Sequence, residues 1–122
     1  MRERSLILIV DDEPQIQRFL GHALTAAGYD TCLAGNGAEA LAQIAAQEPD
    51  LVILDLGLPD MNGKEVIERL RHRSDLPVIV LSAHDQEMEK IMALDLGAND
   101  FVAKPFGIGE LLARLRANLR PR

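Results

Sequence analysis

The sequence predicts an α/β protein in which five parallel strands, each followed by a helix, form one doubly wound sheet. Apolar runs recur roughly every 20 to 25 residues, and the segments between them have the period of helices. Several of these runs are apolar at every position, which is typical of strands covered on both faces. At 122 residues, with 48% apolar side chains, the chain can bury one hydrophobic core. These features predict a single domain over 1–122.

Each predicted element has its own sequence signal. Runs rich in Leu, Ile and Val predict the strands, which cover 5–10, 29–34, 51–54, 78–81 and 101–103. Pro14 suits the first turn of the first helix, and Gly28 suits its end. The turn Gly35-Asn36-Gly37 precedes the second helix. The later helices are predicted over 38–47, around Val66, Ile67 and Leu70, over about 86–96 with Gly97 at the end, and over about 108–119.

The helical period also predicts which side chains face the core. Met88 and Met92 of the fourth helix are expected to pack inward rather than to form a ligand site. The stripe on the first helix consists of Ile16, Phe19, Leu20, Ala23 and Leu24. The stripe on the last helix consists of Ile108, Leu111, Leu112, Leu115 and Leu119.

Polar side chains follow four of the five predicted strands at the point where each strand ends. Asp11 and Asp12 follow the first strand, and Asp55 follows the third. Ser82 follows the fourth strand, and Lys104 follows the fifth. Because ligands of open parallel sheets bind at the carboxyl ends of the strands, we expect these groups to share one site.

The residue types at this edge indicate phosphoryl transfer assisted by a metal ion. Carboxylates crowd together only where a hard cation or a lysine offsets their repulsion. Asp12 and Asp55, with help from Asp11, offer the oxygens that Mg²⁺ prefers, and Asp55 can act as a nucleophile toward phosphorus. Lys104 and Ser82 can neutralise and hydrogen-bond a phosphoryl group. The Lys104-Pro105 peptide can be either cis or trans.

Composition excludes several classes of protein. Thirteen basic and nineteen acidic residues give a net charge of −6, which argues against direct binding to a nucleic-acid backbone. No apolar stretch approaches the roughly 18 residues that a membrane span needs. The single cysteine, Cys32, cannot form an internal disulfide, which favours a reducing cytoplasm. We therefore expect a cytoplasmic domain that binds neither membranes nor DNA by itself.

Four separated motifs resemble those of the receiver domain of two-component response regulators, in the same order and at the same spacings. The resemblance covers essentially the whole chain and implies a flavodoxin-like fold with strand order 2-1-3-4-5. The motifs are Val10-Asp11-Asp12-Glu13, Leu54-Asp55-Leu56-Gly57-Leu58-Pro59, Leu81-Ser82-Ala83 and Lys104-Pro105-Phe106.

The resemblance implies a role for each residue of the predicted site. Asp55 would accept a phosphoryl group from a sensor histidine kinase, with Lys104 as its counter-ion. Ser82 and Phe101 would form the switch pair. The domain would promote only its own phosphorylation and dephosphorylation and would not be an enzyme in the ordinary sense. The implied ligands of Mg²⁺ are Asp11, Asp12, Asp55 and the Gly57 carbonyl.

Two stretches, 55–60 and 104–116, resemble the OmpR/PhoB group and, within it, a potassium-responsive branch. In that group the activated receiver forms a homodimer and continues into a winged-helix domain that binds DNA. We expect that second domain to be absent from this sequence. The resemblance implies ion pairs across subunits between Lys90 and Glu110 and between Asp100 and Arg114. A further ion pair usual in the group would need an acid at Asn99 and a base at Pro121, and neither is present. The implied dimer face consists of Lys90, Ile91, Leu94, Asp100, Glu110, Ala113 and Arg114.

Two other functions stay open at this point. One is a pseudo-receiver that has lost phosphorylation and acts only as an interaction module, although the acids and Lys104 are intact. The other, less favoured, is a Mg²⁺-dependent aspartyl phosphatase, which would need a second acid at Gly57. A P-loop does not fit, because five residues separate Gly57 from Gly63 and Glu65 replaces the hydroxyl residue.

Overall fold

The computed structural model describes residues 3–83 and 87–120 as five strands that alternate with five helices. The predicted element types are confirmed, and the boundaries differ by one or two residues. The strands are β1 Leu6–Val10, β2 Asp30–Ala34, β3 Leu51–Leu54, β4 Val78–Ser82 and β5 Asp100–Ala103. The helices are α1 Pro14–Ala26, α2 Gly37–Gln47, α3 Gly63–Arg71, α4 Glu87–Asp95 and α5 Ile108–Leu119.

All five strands are parallel and lie in the order β2-β1-β3-β4-β5, as the resemblance implied. The central strands β1, β3 and β4 are buried at every position, whereas the edge strand β2 is mostly half-buried or exposed. Alternate residues of each strand point to opposite faces of the sheet. Leu8 and Val52 therefore pack under α2, α3 and α4, while Ile9 and Ile53 pack against α1 and α5.

Short polar side chains fix where two of the helices begin. The Asn36 carboxamide oxygen accepts the Glu39 N–H at 2.8 Å, and its amide donates to the Glu39 carboxylate at 2.8 Å. This reciprocal pair begins α2 at Gly37, one residue before the predicted start. Asn62 caps α3 by accepting the Lys64 N–H at 2.9 Å.

Three predictions of core packing were wrong. Phe19 is 52% exposed, because it lies at the edge of the apolar stripe of α1 and contacts Phe106, with ring centroids 6.3 Å apart. Met88 and Met92 are also exposed, at 66% and 44%. Of the nine residues Glu87–Asp95 in α4, Ala93 alone is buried, so the methionines lie on the solvent side of a shallowly seated helix. The predicted start of this helix at 86 lies outside the described residues.

No helix within 3–83 and 87–120 has the length and apolar character needed to cross a membrane.

Candidate functional site

Three carboxylates meet where β1 and β3 end. Val10 and Leu54 are partners in neighbouring strands, so the residues that follow them leave the sheet side by side. Oxygens of Asp11, Asp12 and Asp55 all lie within 4.8 Å of one another. Asp11 is buried and Asp12 is exposed, so the cluster opens to solvent on the Asp12 side. The structure thus brings together the three acids that the sequence placed at one edge.

Asp11 is held by hydrogen bonds at every polar atom. Its N–H donates to the Ala34 carbonyl at 3.1 Å, and its carbonyl accepts the Gln17 amide at 2.7 Å. Its Oδ1 accepts the Glu13 N–H at 2.9 Å. Its Oδ2 lies 3.3 Å from Lys104 Nζ. A carboxylate that is only 2% exposed needs such partners in place of the water that it loses.

The Asp55 side chain, 12% exposed, lies between a backbone donor and an ammonium. Its Oδ1 accepts the Gly57 N–H at 3.2 Å, and its Oδ2 lies 3.8 Å from Lys104 Nζ. Burial raises the pKa of Asp55 above its ordinary value. The Gly57 N–H and Lys104 oppose this increase, whereas the charges of Asp11 and Asp12 add to it. Asp55 is therefore a carboxylate whose negative charge is poorly compensated.

Lys104 reaches the acids from the far edge of the sheet. It follows β5, where its N–H donates to the Ser82 carbonyl at 2.8 Å, and the peptide to Pro105 is cis. Its ammonium is nearer to Asp11 than to Asp55, at 3.3 Å and 3.8 Å. The sequence predicted Asp55 or its phosphoryl group as the partner of Lys104 and did not predict the shorter distance to Asp11, because a strand end shows which groups share an edge but not which is nearest.

Ser82 and Phe101 lie on the same face of the sheet. Ser82 is the last residue of β4, is fully buried and pairs in register with Ala103. Phe101 pairs with Val80, two residues before Ser82, and its ring is buried in the core under α2, α3 and α4. Ser82 adjoins the lysine of the acidic pocket, because its carbonyl accepts the Lys104 N–H. The switch role that the resemblance implied for Ser82 and Phe101 stays a prediction.

The loop after Asp55 is held by a close approach that the sequence analysis missed. A Cβ at Gly63 would lie 2.7 Å from the Leu56 Cα and 2.8 Å from the Asp55 carbonyl oxygen, so only glycine allows α3 to begin there. The Gly63 N–H donates to the Leu56 carbonyl at 2.9 Å. By contrast, a Cβ at Gly57 would meet only Asp55 Oδ1 at 3.9 Å, which leaves open space beside the acid. The Asn62-Gly63 pair was the signal that could have marked this turn.

The donor set fits a hard divalent cation. Within the described part of the chain, all three candidate ligands are carboxylates and one ammonium faces them, so negative charge remains in excess. Mg²⁺ prefers one or two carboxylates together with water and other oxygen ligands, which an open cluster with one exposed acid permits. Among residues 3–83 and 87–120, no histidine or cysteine belongs to this cluster, as expected for Mg²⁺ rather than Zn²⁺.

The predicted dimer face is exposed on α4 and α5 and carries ion pairs within the chain. Arg114 donates to Asp100 at 2.9 and 3.1 Å and to Glu110 at 3.1 Å. These contacts raise the pKa of Arg114, and the hydrogen bond to Glu110 is the largest cause. Asp100 and Arg114 were predicted to pair across subunits, so a dimer would have to exchange these partners. The exposed members of this face are Lys90, Ile91, Leu94, Glu110 and Ala113.

A family model for the response regulator receiver domain matches residues 7–116. The chain therefore belongs to the family of response regulator receiver domains, and the family resemblance inferred from its four motifs is confirmed.

Its curated relatives include two proteins named KdpE, in agreement with the OmpR/PhoB-type resemblance. The chain is 54% identical over 116 residues to the transcriptional regulatory protein KdpE of Mycobacterium tuberculosis, with 95% of this chain and 51% of that protein covered. It is 54% identical over 114 residues to the KDP operon transcriptional regulatory protein KdpE of Escherichia coli K12, with 93% and 51% covered. The chain thus spans about half the length of the curated relatives it matches.

Solved structures share the fold. The BeF3-activated N-terminal receiver domain of Klebsiella pneumoniae RstA superposes with a TM-score of 0.92 at 34% identity, and the match covers 95% of this chain and 99% of that one. The predicted flavodoxin-like arrangement is therefore confirmed by its sheet order and by a receiver domain with nearly the same backbone.

Proposed function

We propose that this domain accepts a phosphoryl group on Asp55 from a sensor histidine kinase, with Mg²⁺, and thereby switches the face formed by α4, β5 and α5. The observation that carries the proposal is the mostly buried Asp55 carboxylate, with two further acids and Lys104 around it. Membership of the receiver family supports the same role.

Asp11, Asp12, Asp55 and the Gly57 carbonyl would hold Mg²⁺ in the open part of the cluster. The bound ion supplies positive charge that offsets the charge of an incoming phosphoryl group. Asp11 is held by the protein on all sides and would fix the position of the ion. The exposed Asp12 side chain can adjust to the ion as it binds. The Lys104 ammonium adds a second positive charge at the site, whether or not the ion is bound.

The reaction itself needs little beyond positioning and charge neutralisation. One oxygen of Asp55 attacks phosphorus as the bond from phosphorus to the imidazole nitrogen of the kinase breaks, and the product is an acyl phosphate. Asp55 Oδ1 already accepts the Gly57 N–H, which leaves Oδ2, on the Lys104 side, better placed to attack. Lys104 then lies where it can contact the transferred phosphoryl oxygens.

Phosphorylation adds charge and acceptor oxygens at the end of β3. The Ser82 hydroxyl and the Lys104 ammonium move toward these oxygens, and Phe101 moves into the space that Ser82 leaves. Because α4 follows Ser82 and β5 carries Phe101, the movement reaches the predicted dimer face. The domain then forms a homodimer as Arg114 exchanges its contacts with Asp100 and Glu110.

The longer protein is proposed to be a cytoplasmic transcription regulator. A winged-helix domain beyond the receiver would bind DNA, and the names of the KdpE relatives support a transcriptional role. We propose that it responds to potassium through its kinase, as the resemblance to that branch implies. The receiver itself acts as a switch and not as an enzyme with an external substrate.

Intact mass spectrometry with a small-molecule phosphodonor tests the proposal. The wild-type domain is expected to gain one phosphoryl group when Mg²⁺ is present and to lose most of this gain when Mg²⁺ is chelated. Asp55→Asn is expected to gain none. Asp75→Asn provides a matched control, because Asp75 is exposed and lies outside the acidic cluster. Equal labelling of Asp55→Asn would contradict the proposal, and an unlabelled wild-type domain would favour the pseudo-receiver.

A further inference from the structure

We propose that Gln17 is a positioning residue for the metal site, because its side chain fixes the peptide that joins Asp11 to Asp12. The inference rests on the proposed function, since it concerns the same Mg²⁺ site. Gln17 is a half-buried residue of α1, and its amide nitrogen donates to the Asp11 carbonyl at 2.7 Å. The same nitrogen lies 3.4 Å from the Ala34 carbonyl at the end of β2.

The Asp11 carbonyl belongs to the planar peptide that links the two metal ligands. Its oxygen, the peptide nitrogen of Asp12 and both Cα atoms lie close to one plane. A donor that holds this oxygen therefore limits rotation of the whole plane. Rotation of the plane would turn Asp11 and Asp12 relative to each other, and the spacing of their carboxylates would change.

Asp12 depends on this plane more than Asp11 does. The Asp11 carboxylate has its own partners, the Glu13 N–H at 2.9 Å and Lys104 at 3.3 Å. The Asp12 side chain is exposed and makes no hydrogen bond or ion pair within residues 3–83 and 87–120. Its direction is set by the main chain that carries it. Gln17 holds the peptide before Asp12, and the Asp11 carboxylate holds the peptide after it through the Glu13 N–H.

Gln17 also joins two strand ends on the side of the pocket away from Lys104. The Asp11 N–H donates to the Ala34 carbonyl at 3.1 Å, so Gln17 and the sheet ladder contact the same oxygen. Because Lys104 and Glu13 still hold the Asp11 carboxylate when Gln17 is replaced, the fold should survive the loss. The effect should appear chiefly in the affinity for the metal ion.

The experiment measures Mg²⁺ binding to the unphosphorylated domain by calorimetry and, separately, thermal unfolding in the presence of a chelator. Gln17→Met keeps the length of the side chain and removes the donor. Gln15→Met is the matched control, because Gln15 lies on the same helix, is exposed and makes no side-chain hydrogen bond within the described residues. Asp12→Asn reports the loss of a ligand.

We expect Gln17→Met to weaken Mg²⁺ binding by about tenfold, as is usual when a group that orients a metal ligand is removed. Gln15→Met should bind Mg²⁺ as the wild type does, and the unfolding temperature of Gln17→Met in chelator should fall by only a few degrees.

Unchanged Mg²⁺ affinity in Gln17→Met, whether or not its unfolding temperature falls, would overturn the inference and leave the proposed function intact. A wild-type domain that binds no Mg²⁺ would overturn both.

Discussion

The acidic pocket and the neighbouring helix α4 are held in place in opposite ways. The pocket rests on β1 and β3, whose residues are all buried, and Leu54 directly before Asp55 has no exposed surface. Helix α4 buries only Ala93 of its nine residues. Its remaining apolar side chains face solvent, and they are Met88, Ile91, Met92 and Leu94.

Polar contacts from α3 replace the missing hydrophobic contacts of α4. Lys64 Nζ lies 3.2 and 3.0 Å from the two Glu89 carboxylate oxygens. At the other end, the Arg71 guanidinium donates to the Gly97 carbonyl at 3.0 and 2.8 Å and to Asn99 at 2.9 Å. Lys64 and Arg71 are seven residues apart and therefore lie on the same side of α3.

This difference suits a switch. Buried apolar surface contributes about 25 cal/mol per Å² and fixes the pocket firmly, whereas partly exposed ion pairs contribute about 1 kcal/mol or less. Under the proposed function, we expect a change of charge at Asp55 to move α4 at little cost without disturbing the strands that carry the acids. We therefore propose that the sheet holds the acids rigidly while α4 is the element that responds.

The largest effect is expected from a cavity beneath the pocket. Leu54→Ala should lower the free energy of unfolding by about 2–5 kcal/mol, because it removes a fully buried side chain from the core. Met92→Ala on α4 should change it by less than about 0.5 kcal/mol, because Met92 is exposed. Chemical denaturation measures both values, and similar losses for the two variants would remove the basis of the comparison.

Loss of the contact between α3 and α4 should loosen α4 alone. Lys64→Gln should lower stability by about 1 kcal/mol, because the pair is only 15% and 32% exposed, and should speed hydrogen exchange in α4. Arg69→Gln is the control, since its ion pair with Glu65 lies on the surface and should contribute less. If Lys64→Gln exchanges faster in the central strands, or if its exchange in α4 does not increase, the acidic pocket and α4 are not held in place separately.

A substitution at Gly57 tests how the acidic pocket sets the lifetime of the acyl phosphate. Gly57 has no side chain to orient an attacking water, so we expect the acyl phosphate to be comparatively long-lived. Gly57→Asn should shorten its lifetime several-fold, because the open space there accommodates a polar side chain. Acyl-phosphate decay after removal of the phosphodonor measures this, and an unchanged lifetime would count against the explanation.

The smallest effect is expected from Asp60, which joins the loop after β3 to α2. It accepts the N–H groups of Gly37 and Ala38 at 2.7 and 3.0 Å, and these bonds lower the pKa of Asp60 below its ordinary value. Because the pKa of Asp60 is lower in the folded state than in the unfolded state, Asp60 stabilises the fold at pH values above its ordinary pKa. This contribution is lost as the pH falls through the lowered, folded-state pKa.

Amide NMR shifts of Gly37 and Ala38 should therefore titrate with a midpoint below the ordinary pKa of an aspartate and should not titrate in Asp60→Asn. A midpoint at or above the ordinary value would contradict the predicted contact.

The sequence predicted the sheet and the edge that carries the acids, because runs that are apolar throughout and end on polar residues determine both. It did not predict that α4 buries so little of its surface against the sheet. A helical stripe shows which side chains share a face but not whether another element covers that face, and Met88 and Met92 were misplaced for this reason. The contact of Gln17 with Asp11 was missed as well, because the sequence does not show which polar side chain of α1 points back to the end of β1.

Hydrogen exchange followed by mass spectrometry, with and without phosphodonor and Mg²⁺, tests most directly whether a rigid pocket controls a movable face. We predict that phosphorylation of the wild-type domain changes exchange in α4, β5 and α5 and leaves β1 and β3 unchanged, and that Asp55→Asn shows no such change. A phosphorylated wild-type domain whose α4, β5 and α5 exchange as before would contradict the account.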